Sequence, residues 1–544
     1  MKNTSASAYL ITLFLGFLVT ACSGGGDGGN TPEAQRSAGM LSKVENNAKF
    51  EAAVKRGLRE QLQNSQTNLL LELDAGAPVA VSNADASTPG FTRTYTLEAN
   101  VDEADIVKYT GNLLLVARDG GIACCPFGLC WETWLPRQCI DDVLPEQRPT
   151  ARVQIYTSDP AAASVTPLAN IDVGSEVRIS GMYVDDDNAL AVLGTNLQLP
   201  IYGDVWFAPG AWLNGETVIS LYDLEDPSQP QQSWGAAFDG SLVESRRIGD
   251  TLYLVSRFTP FVDGLNYYYT EDEAERQNDQ QLIDAVPLDD LIPKIRINGS
   301  EQVLVQPDDC YVPTENSPEE SLPNGSITTI TAIPLSAPSQ FKSTCYTGNA
   351  QGLYMSQQAL YLVEQIYDYT EEQFSESTLI HKFSLSGTAA DYRGSADIAG
   401  VLGHRHSMDF RLSEHDGHLR VVTSEYEYGD FSPLPAADAD HVDHKLTVLR
   451  ESATEQALEV VSTLPNDARP QEIGKPDEIL YGVRFFGERA YLVTFEQIDP
   501  LYVLDLSDPA QPSIAGELEV PGFSDFIHPV SDELILTLGK DANP

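Results

Sequence analysis

The sequence has little positive charge. Its 544 residues include 33 Lys and Arg against 80 Asp and Glu, which gives a formal net charge of −47. Proteins that bind nucleic acid or an anionic bilayer surface need clustered Lys and Arg to displace counterions or to meet lipid headgroups. The composition therefore excludes nucleic acid as a partner. With 42% hydrophobic and 21% charged residues, the chain still has ample apolar material for a folded core.

Recognisable catalytic motifs are also missing. No nucleophile elbow, P-loop, H-E-x-x-H or S-x-x-K motif stands in a context that would support it. Gly24, Gly26 and Gly29 have the spacing of a dinucleotide-binding loop, but no strand precedes them and their surroundings have the composition of a flexible tether. The sequence therefore does not specify a reaction.

A long apolar run is missing as well. The run from Tyr9 to Val19 is shorter than the roughly 20 residues that a membrane-spanning helix needs. Lys2 precedes it, which is typical of a secretory signal. Its end, Val19-Thr20-Ala21-Cys22, resembles the bacterial lipobox, and this resemblance implies that Cys22 is the acylated first residue of the mature protein. The alternative is an ordinary cleaved signal in which Cys22 is an incidental thiol.

The residue after the lipobox bears on location. Ser23 rather than Asp follows Cys22, which by resemblance to the sorting rule of Gram-negative lipoproteins favours the outer membrane. We expect residues 1–21 to be the signal peptide, residues 22–39 an acylated, Gly-rich tether, and the protein to be lipid-anchored in the cell envelope. The N-terminal lipid is then the contact with the membrane.

Residues 40–91 precede the repeated part of the chain. Between Met40 and Gln63, apolar residues recur mostly at three- and four-residue spacing, which is the pattern of an amphipathic helix. These residues are Leu41, Val44, Phe50, Val54, Leu58 and Leu62. We expect the helix to pack against the main domain; the alternative is a helix that binds a partner.

From residue 92 to residue 544 one short pattern repeats: a turn with Gly, Asp or Asn, then a run of aliphatic and aromatic residues. Its seven copies, here called the octets, are Thr110–Ala117, Asp187–Gly194, Gly249–Ser256, Gln357–Glu364, Asp416–Thr423, Gly487–Thr494 and Ser531–Leu538. Three further segments contain an Asp-Pro pair that ends one strand before another begins, because Pro cannot donate to a ladder. These segments are Val153–Val173, Val218–Trp234 and Leu501–Val520.

Each unit therefore supplies about four short antiparallel strands. A single sheet of this size cannot bury both of its faces, whereas a ring of such sheets can. The repeats predict an all-β fold, a β-propeller of four-stranded antiparallel blades, with seven units visible and the last one incomplete. A β-sandwich or several separate β-domains is the alternative.

Several segments are similar to one known family. Val101–Val116, Ile380–Gly387, Gly482–Pro512 and Gly516–Pro529 resemble the bacterial and archaeal secreted proteins with a C-terminal β-propeller distantly related to WD repeats. The resemblance implies a propeller of seven or eight blades and leaves the activity undefined. Members of that family continue beyond the position of Gly539, so the resemblance also implies a propeller that is truncated at its C-terminus.

The first of these segments is rich in charge. Asp102, Glu103 and Asp105 lie close in sequence to Lys108. Such a group closes a sheet turn through hydrogen bonds and an ion pair, or it binds a cation. We favour the structural role.

The cysteines predict disulfides. Seven are present, and all except Cys22 would remain available for pairing in an exported protein, where disulfides persist. We expect one bridge between Cys310 and Cys345 and two bridges, in an unassigned order, within a single insertion. The cysteines of that insertion are Cys124, Cys125, Cys130 and Cys139. A four-thiolate zinc site is the alternative, although the spacing is not that of a zinc ribbon or finger.

Six of the eight histidines lie between positions 404 and 444, near an acidic segment. Imidazole and carboxylate groups together can hold a transition metal. The candidate ligands are His404, His406, Asp440, His441 and His444. Ordinary strand-face histidines beside a solvated acidic loop are the favoured interpretation, so no cofactor is predicted and a divalent cation is the alternative.

Two functions are compatible with these features. The first is a membrane-tethered scaffold that binds an envelope protein or a glycan through the loops of the propeller. The second is an extracytoplasmic hydrolase, metal-dependent or not, that uses acidic and histidine side chains near the propeller axis. We favour the scaffold, because nothing in the sequence identifies a catalytic set.

Overall fold

Antiparallel strands make up most of the chain that the structure describes. The structure is a computed structural model, and it describes residues 39–67, 96–118, 150–174, 177–185, 189–196, 215–266, 272–321, 323–369, 374–403, 408–427, 441–476, 478–495, 499–520, 523–531 and 534–540. The first elements are β1 (Leu41–Lys43), α1 (Asn47–Thr67) and β2 (Asp102–Glu103). None of the helices in these ranges is long and apolar enough to cross a membrane.

The following strands form successive antiparallel sheets, here called blades one to seven in chain order. Blade one contains β3 (Val107–Tyr109), β4 (Leu113–Arg118), β5 (Ala151–Asp159) and β6 (Ser164–Gly174). Blade two contains β7 (Val177–Val184), β8 (Ala189–Asn196), β9 (Glu216–Asp223) and β10 (Gln231–Asp239). Blade three contains β11 (Ser241–Ile248), β12 (Thr251–Phe258), β16 (Ile327–Pro334) and β17 (Lys342–Thr347).

The later blades repeat this arrangement. Blade four contains β18 (Gly352–Met355), β19 (Ala359–Tyr369), β20 (Phe374–Ser386) and β21 (Ala389–Ala399). Blade five contains β22 (Leu412–His415), β23 (His418–Glu427), β24 (His441–Glu451) and β25 (Leu458–Leu464). Blade six contains β26 (Ile479–Phe486), β27 (Arg489–Phe495), β28 (Asp499–Asp505) and β29 (Ser513–Val520); the described part of blade seven is β30 (Phe523–Ser531) and β31 (Leu534–Lys540).

The described part of each octet includes residues of the second strand of a blade. In β12, for example, Leu252 to Val255 are all buried, because apolar side chains on both faces of the sheet pack against the neighbouring blades. Separate apolar clusters join each pair of successive blades from one and two to six and seven. The prediction of an all-β propeller with four-stranded antiparallel blades is confirmed.

The ring has two different faces. The hairpins between first and second strands and between third and fourth strands lie on one face, here called the hairpin face. Asp226 and Asp508 make the predicted Asp-Pro turns there, and each accepts a backbone hydrogen bond from two residues ahead. The second strands end, and the third strands begin, on the opposite face, here called the insertion face.

One insertion on that face, residues 259–326, joins β12 to β16 in blade three and has its own structure. It contains α2 (Glu273–Ala285), α3 (Leu288–Leu291), β13 (Lys294–Ile297), β14 (Ser300–Val303), β15 (Cys310–Pro313) and α4 (Pro318–Ser321). β13 and β14 extend blade two beyond β10, whereas β15 runs parallel to β17 and pairs with β1. Cys310 and Cys345 are paired across β15 and β17, and their sulfur atoms form a disulfide, 1.93 Å apart.

The N-terminal helix α1 packs on this insertion. Its apolar side chains at positions 50, 54, 58 and 62 share a core with Ile283, Leu291 and the disulfide. Gly57 allows close contact, since a Cβ there would lie 2.2 Å from the carbonyl oxygen of Asn324. The Arg56 guanidinium also donates to the Glu320 carboxylate at 2.5 Å. The helix therefore packs against the main domain, as its apolar spacing predicts.

The predicted start of the helix near Met40 is wrong. Leu41 lies in β1, which pairs with β15, and the helix begins at Asn47.

Candidate functional site

A short segment before blade one lies at the centre of the ring. We call residues 96–106 the axial segment. Its strand β2 pairs with β11 on the side opposite β12, so β2 lies closer to the axis of the ring than β11, the first strand of blade three. The Tyr354 hydroxyl of blade four donates to the Glu98 carboxylate. The side-chain amide of Gln357 donates from Nε2 to the carbonyl oxygen of Ala99 at 2.8 Å. Asp105 pairs with Met182 of blade two. The axial segment thus contacts the inner ends of three blades.

The charged residues of the family-like motif are engaged with protein groups. Lys108 is 6% exposed, and its Nζ donates to Asp102 Oδ1 at 2.9 Å and to the carbonyl oxygen of Glu103 at 2.6 Å. The Arg247 guanidinium also donates to Asp102, at 3.3 Å. The Asp105 carboxylate accepts the backbone N–H of residue 107. These contacts support the structural role over a cation site.

A second polar group is buried between blades three and four. This acid–histidine cluster consists of Glu319 of α4, Glu364 of β19, His381 of β20 and Ser395 of β21, and none of these residues is more than 7% exposed. Ser395 Oγ lies 2.6 Å from His381 Nδ1, and His381 Nε2 lies 3.4 Å from Glu319 Oε2. The carboxyl groups of Glu319 and Glu364 are within hydrogen-bonding reach of each other.

Surrounding groups hold the cluster in place. The backbone N–H of Asn349 donates to Glu364 Oε2 at 3.0 Å, and the Ser317 hydroxyl donates to Glu319 Oε2 at 3.1 Å. Gly348 leaves space for the insertion, because a Cβ at that position would lie 2.4 Å from Glu319 Oε1. Blade three, the insertion and blade four therefore all contribute to one buried polar site.

Burial favours the neutral form of the Glu364 carboxyl group. Loss of solvent, followed by the neighbouring Glu319 charge, raises the pKa of Glu364 well above its ordinary value. A neutral Glu364 carboxyl can donate its proton to the Glu319 carboxylate, whereas two ionised carboxylates would repel each other in a dry environment. The raised pKa favours a neutral Glu364 beside Glu319, and the Asn349 N–H donates to Glu364 Oε2.

The order serine, histidine, carboxylate is that of a hydrolytic triad, but this arrangement does not expose a nucleophile. Ser395 and His381 are both 0% exposed, and the Ser395 hydroxyl also lies 2.7 Å from the Tyr392 hydroxyl. A substrate carbonyl must reach the serine oxygen for acyl transfer. The geometry instead suits a buried polar contact between the insertion and blade four.

Sequence reasoning did not single out this cluster, although one signal was available. The last residue of the octets is small or apolar in six copies, including Ser256, Thr423 and Thr494, and it is Glu364 in the copy that belongs to blade four. A carboxyl group in the buried second strand of a blade demands a partner. Glu319 and Ser395 lie in less regular segments, so no spacing connects them to Glu364.

The five candidate metal ligands fall into two groups. His404, His406 and Asp440 lie outside the described residues. His441 and His444 are both on β24, where His441 is half-exposed and pairs with Asp443 at 3.2 Å. His444 is 3% exposed, and both of its ring nitrogens have partners: the Ser424 hydroxyl at 2.9 Å and the carbonyl oxygen of Glu478 at 2.7 Å.

Within the described ranges, no three His, Cys, Asp or Glu side chains are grouped so as to hold a metal ion. Cys22 and the four cysteines Cys124, Cys125, Cys130 and Cys139 lie outside those ranges. The acylated cysteine and the pairing of this cysteine group remain predictions, and a metal site remains the alternative.

His444 occupies a position that repeats around the ring. In blades two, three and four the equivalent residue of the third strand is Thr217, Thr328 or Thr378, each opposite the residue that follows an octet. Their hydroxyls donate to the carbonyls of Gly240, Gly348 and Gly400 at 2.7–2.9 Å. In blade five the imidazole makes the corresponding contact to the next blade.

Comparison with known sequences identifies a family model for the repeated region and relatives of about a third of the chain. The sequence model of the family described as "Beta propeller domain" matches residues 91–544. An uncharacterised protein of Archaeoglobus fulgidus is 37% identical over 166 residues, which are 30% of this chain and 22% of that protein. An uncharacterised protein of Methanocaldococcus jannaschii is 32% identical over 176 residues, which are 32% of this chain and 24% of that protein. The chain thus aligns with less than a quarter of each relative.

Solved structures are similar only at a coarse level. A mutant of the Synechocystis apocarotenoid oxygenase has a TM-score of 0.28 and 9% sequence identity, with coverage of 76% of this chain and 71% of that chain. The β-propeller domain of the Trilobed protease from Pyrococcus furiosus has a TM-score of 0.20 and 8% identity, with coverage of 67% and 90%. Neither likeness carries an argument about activity.

Proposed function

This chain belongs to the beta propeller domain family, and from that premise we propose that it is a tethered extracytoplasmic scaffold that binds an envelope protein or glycan through its insertion face. The observation that carries the proposal is the one-sided construction of the ring. The 68 residues 259–326 begin and end at the insertion face. The strand ends that precede and follow three other connections also lie on that face; these connections are residues 119–150, 197–215 and 428–440. Long connections on one face of a rigid scaffold are the usual location of binding surfaces.

The centre of the ring supports the same proposal. The axial segment lies where a funnel-shaped active site would need open space, and its acidic groups are paired with Lys108 and Arg247. The acid–histidine cluster is closed to solvent. A binding surface built from connections therefore agrees better with the described geometry than a catalytic pocket does.

The tether can be tested separately from binding. Labelling of cells with a radioactive fatty acid should modify the wild-type protein and not Cys22→Ser, and the wild type should fractionate with envelope membranes. An unlabelled wild-type protein would contradict the lipid anchor, whatever the binding experiments show.

Binding requires a comparison of the two faces. The paired substitution Asp289→Lys with Asp290→Lys reverses charge on exposed residues of the blade-three insertion. The matched control, Glu225→Lys with Asp391→Lys, makes the same change on exposed residues near hairpin-face turns. An envelope component that crosslinks to the wild type and to the control, but at least about tenfold less to the insertion-face variant, supports the proposal. Equal losses in both variants would contradict it.

A further inference from the structure

The blade-three insertion is attached to blade four through a carboxyl pair that water does not reach. Glu319 comes from the insertion and Glu364 from β19, and they are 3% and 7% exposed. Two adjacent carboxylates in such an environment cannot both remain ionised, so the contact requires a proton between them. We propose that the Glu319–Glu364 pair is a proton-dependent latch that closes the blade-three insertion onto blade four.

The other ionisable groups around the pair come from four strands, β12 and β17 of blade three and β20 and β21 of blade four. Arg257 of β12 lies beyond Asn349, to which it donates at 2.6 Å. Tyr346 of β17 stacks edge-on against the His381 ring. On blade four, His381 directs Nε2 toward Glu319. The Tyr392 hydroxyl lies 2.7 Å from Ser395 Oγ, and the Tyr392 ring lies edge-on to the His381 ring. The positive charge of Arg257 favours an ionised Glu364, but burial and the Glu319 charge outweigh it.

Opening of the latch should therefore release a proton. In the closed state Glu364 is neutral, whereas in an opened insertion it meets water and ionises at an ordinary pKa of about 4.3. Since one proton is lost on opening, the opening equilibrium should rise by up to about tenfold per pH unit above that value, until Glu364 ionises in the closed state too. Rising pH thus loosens the insertion. An effect of this loosening on partner binding rests on the proposed function.

Hydrogen exchange of the full chain tests the latch without a partner. Protection factors, corrected for the intrinsic pH dependence of exchange, are measured at pH 5.5, 6.5 and 7.5 for peptides that contain the Glu320 amide, which donates to the carbonyl of Ser317. In the wild type they should fall by up to about tenfold per pH unit. In Glu364→Gln they should stay constant, because the amide group donates to Glu319 at every pH.

The matched control is Glu478→Gln, which changes an equally buried glutamate of blade six that accepts from Thr494 and from the Lys475 N–H. It should keep the wild-type pH slope at the insertion. Glu319→Gln should weaken the slope without abolishing it, because burial still raises the pKa of Glu364 when the neighbouring charge is removed. Blade-six peptides verify that each variant is folded. Equal pH slopes of protection in the wild type, Glu364→Gln and Glu319→Gln would overturn the latch.

Partner binding then separates the two proposals. If Glu364→Gln flattens the slope and captured partner decreases with pH in the wild type only, the latch also regulates the binding face. If the slope flattens while partner capture is independent of pH in both proteins, the latch stands and the insertion is not the part that binds.

Discussion

His444 Nε2 lies 2.7 Å from the carbonyl oxygen of Glu478, and this contact joins blade five to blade six. Burial of the ring, which outweighs the hydrogen bond, lowers the pKa of His444 to about 4. The unfolded chain binds a proton near pH 6.5, so stability is complete above that pH and is lost as the pH falls toward 4. The loss should reach roughly 3 kcal/mol.

Urea unfolding of His444→Thr tests this relationship, because threonine is the residue that the equivalent position carries in blades two to four. The variant should lose about 1–3 kcal/mol at pH 7.5 through the smaller side chain. Between pH 7.5 and 5.0 its stability should fall by about 2 kcal/mol less than that of the wild type. His441→Thr, on the exposed side of the same strand, should lose as much stability between pH 7.5 and 5.0 as the wild type does. Parallel pH profiles for all three proteins would refute the assignment.

Glu376 at the start of β20 should have the opposite pH dependence. Burial raises its pKa to about 7. The unfolded state releases this proton near pH 4.5, so stability falls as the pH rises from there to about 7 and is level beyond. Glu376→Gln should therefore gain about 1–2 kcal/mol at pH 8 and nothing at pH 5, the gain being reduced by the partial exposure of the side chain. The measurement is the urea midpoint against pH, with the exposed Asp391→Asn as control.

Gly57 should be intolerant of a methyl group, although it lies within a helix. Alanine normally stabilises a helix by about 1 kcal/mol relative to glycine. Here the Cβ would collide with the backbone of residues 324 and 325, so Gly57→Ala should lose about 1–3 kcal/mol and make α1 sensitive to proteases. Ala52→Gly, on the exposed side of α1, should cost about 1 kcal/mol or less without that sensitivity. A more stable Gly57→Ala would show that the helix does not dock as described.

The Asp102–Lys108 pair should be strongly coupled. Lys108 is buried and its charge is balanced by Asp102 at 2.9 Å, so Asp102→Asn leaves a buried ammonium group without its counterion. We expect Asp102→Asn and Lys108→Met each to cost about 3 kcal/mol, and the double variant to cost distinctly less than their sum. A double-mutant cycle by urea unfolding measures the coupling. Simple additivity would indicate that the pair behaves like an exposed ion pair.

The blades could be predicted from the sequence because each one repeats a local pattern. The octet sets a turn and a buried strand within eight residues, and the Asp-Pro pair sets the next turn through the side chain of Asp226 or Asp508. Such signals depend on neighbours in sequence only. The helix α1 was predictable for the same reason, since its apolar side chains recur along one face.

The polar sites could not be predicted in this way because they join distant segments. Glu319 and His381 meet only after the insertion has folded onto blade four, and no sequence spacing records that contact. His444 was noticed as a possible ligand on the strength of its neighbours in sequence, yet its partners are Ser424 and the backbone of Glu478. The sequence left a metal site as the alternative to ordinary strand-face histidines. For His444, the register of β24 produces a contact between blades.

The axial segment has a consequence for the order of folding. Its contacts with Tyr354 and Gln357 connect residues that are 256 and 258 positions apart in the chain. During synthesis, residues 96–106 emerge long before blade four exists, so they cannot take their final place until that blade has formed. The residues that lead into blade one should thus be among the last to become protected from exchange during refolding, and the centre of the ring should close after its neighbouring blades.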